Sequence, residues 1–247
     1  MFLLLSGEGS SDLGICEPSA QACDRAGFRA GPMAYVVDQC VEICQGYEMS
    51  HLEVGLVGYV SESYLAQHKQ PTAPKSMVLR GKKKPAETRY YYENARALAA
   101  IAQQKSIEVN DHVIAVLFRD ADGTASAGRG QWQDKYDSMQ AGFAAANFEL
   151  GVPMLPKPKS EAWLLCAVKQ NPYQHCALLE HESGNDHAAN PLKAQLSTAL
   201  NGHAATADIN DLIINRQIDI QRIDMPSFNQ FKEDLRQVVV LAMGGQR

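Results

Sequence analysis

Three places in the chain put carboxylates where a run of apolar residues ends. VIAVLFRDADG (113–123) closes on Asp120 and Asp122, one residue apart, FLLLSGEGSSD (2–12) on Glu8 and Asp12, and GVPMLPKPKSE (151–161) on Glu161. Carboxylates held close together repel one another, and burial adds to the cost, unless a cation neutralises them. A dense set of hard oxygen donors suits Mg2+ or Mn2+. Such an ion beside a positioned water serves phosphoryl chemistry, because the phosphoryl oxygens and the leaving alkoxide both need charge neutralised. Taken singly, each segment has a plainer role. Asp-x-Asp-Gly is ordinary turn chemistry, and Ser10, Ser11 or Asp12 can cap a helix. The joint pattern, with each acid pair directly after a strand-like run, is what points to one shared site.

The intervening elements must bring these ends together. FLLLS (2–6), VGLVGYVS (54–61), VIAVLF (113–118) and GVPMLP (151–156) read as strands. PMAYVVDQCVEICQGY (32–47), ETRYYYENARALAAIAQQKS (87–106) and QWQDKYDSMQAGFAAANFE (131–149) read as helices, as does SEAWLLCAV (160–168), with Ser160 as its N-cap. Strands alternating with helices of this length predict an α/β fold: a Rossmann-like, mostly parallel sheet with right-handed crossovers, flanked by helices. In such sheets functional groups gather at the carboxyl ends of the strands. If the strands lie side by side, Glu8, Asp12, Asp120, Asp122 and Glu161 share a pocket. The α/β domain is expected over 1–168, and 169–247 is expected to form a helical extension packed on it. Within that extension, 170–191 reads as a polar loop, and 191–202 and 226–243 as helices packing on the sheet.

With 247 residues and 45% hydrophobic content, the chain can bury one large core. A net charge of -5 does not mark a nucleic-acid binder overall, but only the binding face needs to be basic. The N-terminal apolar run lacks a basic flank and is too short for a signal peptide or a membrane span, which predicts a cytoplasmic protein with no membrane contact. On that reading the six cysteines are free thiols. Cys40 and Cys44 lie one helical turn apart, but nothing nearby completes a zinc pattern, and they read as core thiols. The histidines of HCALLEHESGNDH likewise fit no zinc spacing.

LRGKKKPAETR (79–89) concentrates Arg80, Lys82, Lys83 and Lys84, and PKPK adds Lys157 and Lys159. These could contact phosphates, or be solvated surface charge. The run Tyr90-Tyr91-Tyr92 turns successive rings in different directions on a helix, so packing is the simpler reading for it than stacking on bases.

On LLLSGEGSSD as a Glu-Gly motif and AVLFRDADG as an Asp-x-Asp motif, residues 1 to about 168 resemble the TOPRIM family, the metal-binding domain of topoisomerases, primases and OLD-type nucleases. PKPKSEAWLL and MPSFNQF look like segments of small stand-alone TOPRIM-like proteins found among phage-defence genes. No tyrosine in a cleavage-domain context and no primase zinc module accompany the motifs, which leaves a metal-dependent nuclease of antiviral defence. The resemblance implies that Asp120 and Asp122 hold one Mg2+ (or Mn2+) and that Glu8 is a ligand or general base. It further implies Asp12 and Glu161 as ligands of a second ion, and Lys159 as a stabiliser of transition-state charge. Arg80, Lys82, Lys83, Lys84 and Lys157 would contact the nucleic acid, DNA or a tRNA-like RNA. A partner ATPase of the ABC/SMC type and homo-oligomerisation belong to the same expectation.

DADGT (120–124) also matches the signature of haloacid-dehalogenase-type phosphatases, in which Asp120 would be a nucleophile and Asp122 a general acid. That motif normally opens its domain, whereas here about half the chain precedes it. A further alternative is a TOPRIM-like interaction module without catalysis, acting beside a partner ATPase.

Overall fold

The computed structural model describes residues 1–18, 20–69, 86–121 and 131–244. Its strands are β1 (Phe2–Gly7), β2 (Gly14–Cys16), β3 (Ala22–Asp24), β4 (Phe28–Ala30), β5 (Val57–Ser61), β6 (Val113–Phe118) and β7 (Gly151–Met154). The principal sheet has the order β3-β5-β1-β6-β7. β1 pairs in parallel with β5 on one side and β6 on the other, β6 pairs in parallel with β7, and only the edge strand β3 runs antiparallel. The protein is therefore α/β with a mostly parallel five-stranded sheet. β2 and β4 form a separate antiparallel ribbon.

β1 and β6 are buried along their whole length, as continuous apolar runs in a parallel sheet must be. Their side chains alternate between two cores. Leu3, Leu5, Val57, Ile114, Val116, Val152 and Met154 share one with helix α1 (Pro32–Gln45). Phe2, Leu4, Val113, Ala115 and Leu117 share the other with two later helices. Helix α1 opens with proline at its first turn and closes on Gly46 at φ 75°, the expected start and stop residues. It is followed by the short helices α2 (His51–Val54) and α3 (Glu62–Gln67), each begun by a serine whose side chain accepts a backbone N–H. The second core is covered by α4 (Ala86–Val109), packed against α5 (Trp132–Ala145).

The chain leaves β1 for β5 on one side and then crosses to β6 on the other side of β1. The reversal of strand order thus falls between β1 and β6, the position at which parallel sheets of this kind bind ligands at their carboxyl ends. After β7 come α6 (Ser160–Val168), α7 (Leu192–Ala199), α8 (Thr206–Ile214) and α9 (Pro226–Ala242). α9 packs on α1 and β7, and α7 packs chiefly on α6 rather than on the sheet. Trp163 of α6 is buried against Phe228 and Phe231 of α9, ring centroids 4.8 and 5.9 Å apart, and its indole N–H donates to Ser227 Oγ at 2.9 Å. This aromatic contact fixes the position of the helix that carries Glu161. Among the described residues no helix is long and apolar enough to cross a membrane.

Three expectations need correction. The second strand begins at Val57, because 51–54 form α2 and Gly55 turns the chain at φ 82°. The segment 170–191 is not simply a polar loop. It contains a 3-10 turn, Cys176–His181, that buries Cys176, Leu179 and Glu180. Four of the six cysteines are not free: Cys16 bonds to Cys23, and Cys166 to Cys176. The first pair meets because the β2–β4 ribbon folds back beside β3. The second meets because the 3-10 turn folds under α6. Cys40, buried, and Cys44, half-buried, remain thiols.

Candidate active site

The strand ends come together as the motifs require. β1 and β6 run in register from Phe2 opposite Val113 to Gly7 opposite Phe118, so Glu8 and Arg119 leave the sheet side by side. Gly7 is required there, since a Cβ on it would lie 2.3 Å from the Phe118 carbonyl oxygen. Gly9 then takes φ +84° and returns the chain, and the amides of Asp12 and Leu13 donate back to its carbonyl.

Asp120 occupies the centre. Its Oδ1 accepts the backbone N–H of Ser160 at 2.9 Å, at the start of α6, and the Ser160 hydroxyl donates to Asp12 Oδ1 at 2.6 Å. Ser160 is thus the first helical residue and not the N-cap, which is Lys159. The serine cannot cap its own helix because its hydroxyl is committed to an acid 148 residues away in sequence. Burial pushes the Asp120 carboxyl well above the usual carboxylate range, and the nearby charges of Asp12, Glu161 and Glu8 push the same way, against the Ser160 N–H. Burial, then Asp12, also raises Glu161, with Lys159 opposing. One oxygen of Glu161, Oε2, is buried without a hydrogen-bond partner.

Glu8 pairs with Arg119, Nη2 to Oε2 at 3.1 Å, and the same guanidinium reaches Glu62 at 2.9 Å. Burial disfavours the arginine's charge, but Glu8 and Glu62 together raise its pKa and hold it protonated. Its plane lies over the Tyr90 and Tyr91 rings at 4.5 and 5.3 Å. The Tyr91 hydroxyl donates to the Asp120 carbonyl at 3.3 Å, and buried Lys135 of α5 donates to the Ala121 carbonyl at 2.5 Å. Arg119, Tyr91 and Lys135 therefore fix the strand end that carries the aspartates. None was given a place at the site from sequence, where Tyr91 reads as a packing residue of a tyrosine run. Only Arg119, adjoining the motif, offered a positional signal, while Lys135 reads as a polar-face residue of an amphipathic helix.

Two expected lysines are engaged by acids outside the cluster. Lys159 Nζ pairs with Asp186 at 2.9 Å, and Lys157 with Glu180 at 3.8 Å. Asp122, Arg80, Lys82, Lys83 and Lys84 lie outside the described residues. Among the described residues no three His, Cys, Asp or Glu side chains form a ready metal cage. Asp12 and Glu161 face a cavity of about 380 Å³, walled on its far side by α7 and the start of α8. Compared with family models, curated proteins and solved structures, the chain gives no significant match.

Proposed function

We propose that the chain is a TOPRIM-like, metal-dependent nuclease that hydrolyses phosphodiester bonds of nucleic acid, as an effector of antiviral defence. The observation that carries this reading is the placement of Asp120. Its raised, half-buried carboxyl lies among Asp12, Glu161 and Glu8 where the ends of two adjacent parallel strands meet the start of α6. Three facts suit a hard divalent cation: the donors are all carboxylate oxygens, two of the carboxyls are destabilised as anions, and one buried oxygen of Glu161 has no partner. Asp120, Asp12 and Glu161 would hold Mg2+ or Mn2+, together with Asp122. The chemistry a bound cation supplies is neutralisation of charge on the phosphoryl group and the departing alkoxide.

The chain's own groups do the rest. Arg119 sets a positive charge beside Glu8, which in this reading serves as a ligand or takes the proton of the attacking water. Lys159 lies close enough to Glu161 to lower its pKa, and its ammonium would steady charge building on the phosphate. Tyr91 holds the carbonyl of Asp120 and Lys135 the next one, that of Ala121, and so both help fix where the carboxylate points.

The test is a cleavage assay on plasmid DNA, single-stranded DNA and total tRNA, each with Mg2+, Mn2+ or chelator. Metal-dependent cleavage is expected, with Asp120→Ala and Glu8→Ala each losing at least about 10²-fold in rate, the scale of removing one charge-stabilising group. Wild-type rates in either variant would overturn the site. An inert protein that still binds Mg2+ through these acids would favour the interaction-module reading instead.

A further inference from the structure

The cavity over Asp12 and Glu161 has a wall that neither acid motif supplies. From the sheet side come Ser11, Asp12 and Glu161; from the C-terminal helices come Lys193 and Ser197 of α7, and Ala205 and Thr206 at the start of α8. The Thr206 hydroxyl reaches back to the Ser11 carbonyl at 3.5 Å, closing the wall onto the loop that carries Asp12. Pro32, Leu164, Leu196 and Ile209 supply apolar surface between the two sides. α8 begins without a side-chain cap, at residues that line the cavity.

We propose that this cavity takes one unpaired nucleotide, which makes single-stranded nucleic acid the substrate of the acidic site. The proposal rests on the nuclease reading and adds the substrate class to it. Size is the first argument. A volume of 380 Å³ is a space roughly 7 Å on a side, whereas the major groove of a B-form duplex is by itself about 12 Å wide, so a paired helix cannot enter. It falls at the small end of cavities that bury a whole ligand.

Lining chemistry is the second argument. A nucleotide presents apolar base faces, hydroxyls and an anion. The cavity presents an aliphatic wall, the hydroxyls of Ser197 and Thr206, and the Lys193 ammonium. Aliphatic contact buries a base without reading its edge, so little sequence preference is expected.

Position is the third. Among the described residues, two cavities of larger or similar volume lie elsewhere. One, of about 520 Å³, lies along α4 and β3, and the other, of about 370 Å³, lies between α1 and α9; neither is lined by a carboxylate of the site. This cavity puts a bound nucleotide's phosphodiester beside Asp12 and Glu161.

Fluorescence anisotropy with labelled DNA and RNA oligonucleotides, single-stranded and duplex, in chelator, tests the cavity without turnover. Single strands should bind at least about tenfold tighter than duplex, a difference of about 1.4 kcal/mol, and AMP should compete. Lys193→Glu and Ser197→Phe should each weaken single-strand binding about tenfold. Lys105→Glu makes the same charge change on α4 and should leave it unaltered. Equal or tighter duplex binding, no binding of either form, or wild-type affinity in both cavity variants would overturn the proposal. Mg2+-dependent hydrolysis of bis(p-nitrophenyl) phosphate, compared in wild type and Asp120→Ala, reads the acidic site separately. Single-strand binding without that hydrolysis removes the nuclease and keeps the cavity assignment, and hydrolysis without single-strand preference does the reverse.

Discussion

The backbone amide of Ser160 donates to Asp120 Oδ1 at 2.9 Å, so the first turn of α6 is aimed at the acid most strained by its neighbours. A helix N-terminus favours negative charge. Here it does not suffice: burial, then Asp12 and Glu161, leave the carboxyl raised well above its ordinary value. A carboxyl whose folded pKa exceeds its unfolded one favours folding while protonated, and that advantage is lost as pH rises through the folded pKa. At neutral pH the Asp120 charge therefore opposes folding. Asp120→Asn should raise the melting temperature of the metal-free protein by about 2–4 °C for each kcal/mol relieved. Mg2+ should raise that of the wild type and leave the variant unmoved. Thermal melts with Mg2+ or chelator check both. A variant melting below wild type, with no Mg2+ response in either, would mean that the acids are not strained against one another.

At Gly7 the two motif-bearing strands approach too closely for any side chain. A methyl group there would sit 2.3 Å from the Phe118 carbonyl oxygen, which belongs to the backbone and cannot rotate away. Gly7→Ala should cost about 1–3 kcal/mol by overpacking. It should also depress cleavage further than this loss of stability explains, because β1 and β6 must part where Glu8 and Asp120 leave them. Denaturant titration and rates measured well below the unfolding transition separate the two effects. Wild-type values in both would show that the strands can shift at no cost.

The central strands and their acids were legible because each is written locally. Phe2–Leu5 and Val113–Phe118 are uninterrupted apolar runs, and Glu8 and Asp120 follow within three residues. β2, β3 and β4 have three residues each, too few to display alternation. What escaped notice at the site is non-local. A lysine on an amphipathic helix reads as solvent-facing, yet Lys135 is buried because α5 sets it under the Ala121 carbonyl. Ser160 reads as an N-cap by residue type, but its hydroxyl and amide are taken by Asp12 and Asp120 from two other strand ends. The cysteine pairing depended on how short segments fold back, which spacing does not encode.

Lys135 gives a test of how the aspartate turn is held. Its ammonium is buried on the Ala121 carbonyl and lies 5.6 Å from the Tyr91 ring centre. Lys135→Met keeps the apolar stem and leaves that carbonyl without its donor, a loss of about 1–3 kcal/mol. Cleavage should fall with it, since Ala121 adjoins Asp120. Lys135→Arg should not restore it, because a planar guanidinium does not fit a site built for a compact ammonium. Full activity in Lys135→Met would remove the lysine from the positioning of Asp120.

Alkylation under denaturing, non-reducing conditions should label two of the six cysteines, Cys40 and Cys44, and mass spectrometry reads the count directly. The Cys166–Cys176 bond ties α6 to the turn whose Glu180 accepts the Ser227 amide at the start of α9. Reduction should therefore lower stability, by the roughly 2–4 kcal/mol typical of a native disulfide. Six labelled cysteines would restore the reading of all of them as free thiols.

His51 should make the fold acid-sensitive at the end of the sheet opposite the site. Its ring is fully buried, and neither nitrogen has a hydrogen-bond partner. Asp38 Oδ1, at 4.0 Å from Nδ1, is too far to serve, being bonded to the amides of His51 and Leu52, while Oδ2 accepts the Ser50 hydroxyl. Burial, then the charge of the N-terminal ammonium, pushes the imidazole down from 6.5 to about 4. The unfolded chain therefore binds the extra proton first. Stability is intact above about pH 6.5 and is lost progressively as pH falls towards 4, by up to about 3 kcal/mol. Asp120 and Glu161, both raised, act in the opposite direction as they protonate, so the wild-type profile alone mixes the contributions. The difference between wild type and His51→Leu isolates the histidine. The variant should lose less stability than wild type between pH 7 and pH 4.5 by denaturant titration, and parallel profiles would show that the ring finds a proton acceptor when charged.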